Sequence, residues 1–176
     1  MNYYVATDGK ATNSGSMGSP WSAAYVLNSK APLKAGDTVF FRSGTYKKPW
    51  VSGEFYIMRY VGTATLPIVL RTYPNERVTL VDMGLRTVGA KFLHMYDFEI
   101  MHSMTVAQRT NMDPLNQDAS SNGIDIQGAA NSKFVNMVIH DNHGLGMGFW
   151  TNAINSEIYG CIIYDNGAKG IEGVYG

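Results

Sequence analysis

Asn131-Ser132-Lys133-Phe134-Val135-Asn136-Met137-Val138-Ile139-His140-Asp141-Asn142 is followed, 24 residues on, by Asn155-Ser156-Glu157-Ile158-Tyr159-Gly160-Cys161-Ile162-Ile163-Tyr164-Asp165-Asn166. The offset is constant: 131 meets 155, 139 meets 163, and 142 meets 166. A fixed period in this range marks units that bury a core only by stacking on one another. Alternation within the units reads as strands with one face inward. Phe98 and Ile100, Met137 and Ile139, and Cys161 and Ile163 align as the inward set. Glu99 and Met101, Val138 and His140, and Ile162 and Tyr164 then share the outer face.

A second strand follows each of these: Gly123 to Ile126, Gly144 to Met147, and Gly170 to Gly173. Coils of about 24 residues with short strands and Asn-rich corners build a right-handed parallel β-helix, here of about five coils. An insertion at about 104–122 interrupts the earliest of these coils. In a chain of tight turns, a loop that long carries function or covers a surface. Upstream, Tyr3 to Val5 reads as a strand and residues 8–20 as a polar loop. Trp21 to Ser29 predicts a helix whose face is Trp21, Ala24, Tyr25 and Asn28. Asp37 to Arg42, Ser43 to Tyr46, Ile68 to Tyr73 and Val78 to Asp82 read as further strands separated by turns.

The 176 residues suffice for one domain with a substantial core. Hydrophobic residues make up 45% and charged residues 16%, which excludes disorder and a coiled coil. The formal net charge is +0 and no Lys/Arg run exists, so nucleic acid is not an expected partner. No apolar stretch approaches the ~20 residues of a membrane span. The one cysteine, Cys161, excludes an internal disulfide and a multi-cysteine zinc site; its inward place predicts an inert thiol. Met1 to Val5 shows no signal peptide, which leaves open a protein that stays inside and one whose leader was removed.

Tyr3 to Gly9, Gly18-Ser19-Pro20-Trp21, Ala35 to Val39 and Ser43 to Tyr46 resemble the N-terminal cap of the pectate-lyase-like β-helix superfamily. Pro67 to Pro74, Glu76-Arg77-Val78 and the Asn-Ser and Asp-Asn corners are similar to its following coils. The resemblance implies an all-β, single-stranded right-handed parallel β-helix, with residues 1–36 as a helical cap and 37–176 as coils. It also implies an extracellular or cell-surface protein acting on a polysaccharide, with β-elimination in a uronate-containing glycan as the leading reaction. Hydrolases, epimerases and phage spikes share the scaffold. A glycoside hydrolase, an epimerase, a non-catalytic carbohydrate-binding or adhesin module, a phage-spike-like segment and a self-stacking structural solenoid therefore stay open. The sequence stops in mid-coil at Val174-Tyr175-Gly176, which predicts either further coils or an open end covered by self-association or another chain.

Three groups of residues are candidates for chemistry. Asp141 and Asp165 fall at successive corners, about 4.8 Å apart by strand spacing, and offer oxygen ligands to Ca2+, the one cofactor expected. The competing structural reading is a ladder of corner amides and carboxylates. Asp125, Gly146 and Glu172 are expected at equivalent outward positions, placing two carboxylates about 9–10 Å apart, near the separation of inverting glycosidases. Gly146 and Gly148 would floor a saccharide groove edged by Trp150; alternatively, the glycines make room for loops and the acids are solvated. His140, beside Tyr164, supplies a base and an acid for elimination, or is a structural histidine under the insertion, since outward Val138 and Ile162 predict a covered face. Arg109, in the insertion, is placed to pair with an acidic sugar or with Glu99, unless it is merely solvated.

Overall fold

The computed structural model describes residues 1–49, 51–103, 121–167 and, for the backbone, 171–173. After strand β1 (Asn2–Val5) and helix α1 (Ala23–Leu27), strands follow in threes, one trio to a coil. The first coil is β2 (Thr38–Phe41), β3 (Gly44–Lys47) and β4 (Tyr56–Met58); the second is β5 (Ile68–Thr72), β6 (Val78–Val81) and β7 (Leu85–Val88). Then come β8 (Leu93–Tyr96), β9 (Phe98–Met101) and β10 (Ile124–Gln127), and β11 (Lys133–Val135), β12 (Val138–His140) and β13 (Met147–Phe149). The fifth is β14 (Glu157–Tyr159), β15 (Ile162–Tyr164) and β16 (Ile171–Gly173).

Every strand pairs in parallel with its counterpart one coil away, giving three sheets: β1-β2-β5-β8-β11-β14, β3-β6-β9-β12-β15 and β4-β7-β10-β13-β16. Ile139 lies opposite Ile163 and Lys133 opposite Glu157, so the 24-residue repeat is a translation along the solenoid axis. Between the first and second sheets the chain turns through a single left-handed residue: Asp97, Asn136 and Gly160, at φ 69°, 53° and 64°. Such corners suit Asn, Asp and Gly, which bear the left-handed conformation at least cost. The interior is largely apolar, with Leu70, Leu80, Met95, Phe98, Phe134 and Ile139 among its buried residues, and it also takes in Thr72, Thr87, Ser132 and Asn142. Among the described residues, no helix is long and apolar enough to cross a membrane.

Three expectations are corrected. The helix spans five residues, Ala23–Leu27, and buries Ala23, Val26 and Leu27 rather than Ala24, Tyr25 and Asn28. Trp21 is buried outside the helix, bridged to Val5 and donating its indole N–H to the Asn13 carbonyl. Asn28 and Ser29 instead accept the amides of Ile57 and Arg59, which fastens the cap to the first coil. The second correction concerns Gly146. The strand there is Met147–Phe149, and Asp125 lies opposite Gly148, which lies opposite Glu172. Residues 144–146 form the corner, held by the Leu145 amide donating to Asn122 Oδ1 at 2.8 Å. The third concerns the expected cover over Val138 and Ile162: Val138 is half-buried, but Ile162 is 60% exposed. Arg109 and most of the insertion lie outside the described residues.

Candidate functional site

On the outer face of the sheet β3-β6-β9-β12-β15, register places Thr79, Glu99, Val138 and Ile162 in one row, and Val81, Met101, His140 and Tyr164 in the next. Glu99 is the hub. Arg77, just before β6, donates through Nε to Oε2 at 3.0 Å and through its terminal amine to Oε1. The Thr79 hydroxyl donates to Oε2, and His140 Nε2 stands 3.2 Å from Oε1. Burial works to raise the Glu99 carboxyl, but hydrogen bonds from Arg77, Thr79 and His140 outweigh it and bring the pKa down to about 2. Glu99 is therefore ionised at neutral pH, and Arg77 supplies the partner that the sequence reading sought in Arg109.

The other ring nitrogen of His140, Nδ1, is 2.8 Å from Asp141 Oδ2. Both carboxylate contacts are hydrogen bonds only when both ring nitrogens carry protons. Tyr164 stacks on the imidazole, with centroids 4.9 Å apart and planes 8° from parallel, and remains 45% exposed. A continuous polar chain thus runs from Arg77 through Glu99 and His140 to Asp141, with Tyr164 alongside. Sequence reasoning missed Arg77 and Thr79. The available signal was Glu99 itself, an acid on a largely apolar strand.

At the corner beyond β12 and β15, Asp141 and Asp165 adopt left-handed backbones, with φ 54° and 48°. The asparagines that follow turn inward: Asn166 Oδ1 accepts the Asn142 amide nitrogen at 3.1 Å and its side-chain nitrogen at 2.9 Å. Asn166 in turn donates to the Tyr164 carbonyl at 2.9 Å. The asparagines face inward, so the corner offers a cation the two carboxylates, of which Asp141 already meets His140 Nδ1. Among the described residues, no group of three or more His, Cys, Asp or Glu side chains gathers to hold a metal. Two carboxylates one ladder step apart fit Ca2+ in donor chemistry, with most of its six to eight oxygen positions supplied by other groups.

Around this corner lies the outer face of β4-β7-β10-β13-β16, where Ile57, Arg86, Asp125, Gly148 and Glu172 form one row. Asp125 is fully buried, not solvated. Arg86 Nε donates to its Oδ2 at 2.6 Å and Gln127 Nε2 donates to the same oxygen at 3.0 Å. The Arg86 guanidinium lies 3.4 Å above the Phe55 ring. Burial raises the Asp125 carboxyl above its ordinary value; Arg86, Trp150 and Gln127 oppose the rise without cancelling it. Asp125 Oδ1 and Trp150 Nε1 are both buried and neither makes a hydrogen bond of good geometry, although the indole N–H is near enough to favour the carboxylate. Trp150 folds over Gly148, where a Cβ would stand 2.8 Å from the indole nitrogen. The space expected above a glycine floor is therefore filled by Trp150. Glu172 follows two ladder steps from Asp125, about 9–10 Å by strand spacing; its side chain lies outside the described residues.

Residues 3–173 match the family described as Pel9A-like, right handed beta helix region. The chain belongs to this family. The Pel9A-like fold is shared with the crystal structure of pectate lyase Pel9A (TM-score 0.66, 16% identity, 97% of this chain and 49% of that one). It is also shared with GH136 lacto-N-biosidase from Eubacterium ramulus (TM-score 0.62, 17% identity, 91% and 33%) and with a rhamnogalacturonan lyase (TM-score 0.53, 16% identity, 99% and 62%). The chain thus spans about half the length of Pel9A. No curated protein matches it by sequence. Identities this low establish the shared fold.

Proposed function

We propose that this Pel9A-like chain acts on an extracellular or cell-surface uronate-containing polysaccharide, and that the reaction is β-elimination. What supports the reading is one juxtaposition: corner carboxylates Asp141 and Asp165 beside the linked side chains of Arg77, Glu99, His140 and Tyr164. Elimination removes the proton at C5, breaks the bond from C4 to the glycosidic oxygen and leaves a double bond. Ca2+ held by Asp141 and Asp165 would neutralise the uronate carboxylate and make the C5 proton more acidic. Tyr164, the exposed member, is the candidate acid for the leaving oxygen. His140 is the candidate base once a ring nitrogen has left its carboxylate and given up its proton.

A second reading follows from the same atoms. Both His140 nitrogens are engaged, which favours a module that holds the glycan without cleaving it. One assay separates the two. Incubation with polygalacturonate is followed by the ultraviolet absorbance of unsaturated product. Product should depend on calcium, fall about a hundredfold or more in His140→Gln, and vanish when Asp141→Asn and Asp165→Asn are combined. Product formed at an undiminished rate by the double variant in chelator would overturn the site. Glycan retained with no product would establish the binding reading.

A further inference from the structure

A cavity of about 620 Å³ runs along the third corner of the solenoid, where β7, β10 and β13 hand over to β8, β11 and β14. It is unrelated to the Asp141 corner. Three left-handed residues stack through it, Gly89, Gly128 and Asn152, at φ 66°, 64° and 65°. At Gly89 a Cβ would meet nothing within 4 Å, so the glycine opens the trough as well as making the turn. The amides of Gly89, Lys91 and Gly128 are committed to neighbouring coils. The polar side chains along the trough are Lys91, Gln127, Thr151 and Asn152, set beside an apolar wall that includes Ile154, itself 53% exposed.

Two observations give the trough a preferred occupant. Lys91 is exposed, lines the trough, and among the described residues makes no ion pair. Asp125, which holds Gln127 of the trough, is buried and taken by Arg86, so among the described residues no carboxylate answers the ammonium. Gln127 is also fixed, because its amide nitrogen is tied to Asp125 Oδ2. We propose that this corner is an accessory binding groove for an extended acidic glycan laid along the solenoid axis. Lys91 pairs with a uronate carboxylate, Gln127 and Asn152 bond hydroxyls, and the apolar wall receives the C–H face of a sugar ring. The volume lies within the range of sites that enclose small ligands. The choice of an acidic glycan rests on the substrate class proposed above; the groove itself does not.

The test is calorimetric titration with tetragalacturonate and with its methyl ester. It uses protein carrying Asp141→Asn and Asp165→Asn in chelator, which silences the other corner. Tetragalacturonate should bind more tightly than the ester, and Lys91→Gln should weaken it by about tenfold and erase that preference. Gly89→Asn, tolerated in a left-handed turn, should block both ligands by filling the trough. Equal binding of acid and ester, unchanged affinity in Lys91→Gln, or no binding in this background would each overturn the groove. If the intact chain forms no unsaturated product while these variants behave as expected, the elimination reading falls and the groove stands.

Discussion

Glu99 and Asp125 sit on the same coil, on adjoining sheets, and each takes an arginine from the coil before, yet their fates are opposite. Glu99 receives hydrogen bonds from three side chains and is held ionised down to about pH 2. Asp125 is buried more completely, has one oxygen saturated by Arg86 and Gln127 and the other without a hydrogen bond of good geometry, and is raised. The lesson is that proximity to a guanidinium does not fix a carboxylate's charge. The number of donors set against the completeness of burial does.

Breaking the buried pair should have the largest effect. Arg86→Ala leaves Asp125 enclosed without its cation and should cost about 3–5 kcal/mol of unfolding free energy in urea. Asp125→Asn in the same chain should recover part of that loss. No recovery would mean that Arg86 acts through its packing on Phe55.

Removing the exposed-side hub should cost less. Glu99→Gln loses the charge-assisted bonds to Arg77 and His140, and about 1–3 kcal/mol is expected. This effect has a pH window. Because the folded pKa is lowered, Glu99 contributes fully above its ordinary value of 4.5, and the contribution fades as pH falls toward about 2. The gap between wild type and Glu99→Gln should therefore close across that interval. Asp125 has the reverse sign: its folded pKa is raised, so its contribution declines as pH rises through the ordinary aspartate range. The smallest change is at the stack. Tyr164→Leu removes a ring lying flat on His140 and should cost about 0.5–1.5 kcal/mol, read from the same denaturation curves.

The solenoid was legible because its determinants are local and repeated. The pairs at 131/155 and 139/163 become touching neighbours, and inward Phe98, Met137 and Ile139 are buried as the alternation requires. Gly146 was placed in the row of Asp125 and Glu172 where Gly148 stands, two residues on, because Asn122 captures the Leu145 amide and lengthens the corner before β13. No periodic pattern records such a capture. Arg77 and Arg86 were invisible as partners for a related reason. They lie 22 and 39 residues from Glu99 and Asp125, and only the stacking of finished coils brings them across.

The inward asparagines at 142 and 166 carry one more implication. Asn142 donates to the His140 carbonyl of its own turn and to Asn166 of the turn above, and Asn166 donates to the Tyr164 carbonyl of its own turn, so the same local bond recurs from one turn to the next. Insertion of a further 24-residue module carrying the same Asn would extend this pattern by one more step. Gain or loss of a single residue reverses which side chains face the interior for the rest of that strand. Proteins built this way change length in complete modules, which lets a binding surface be extended without redesigning what lies beneath it.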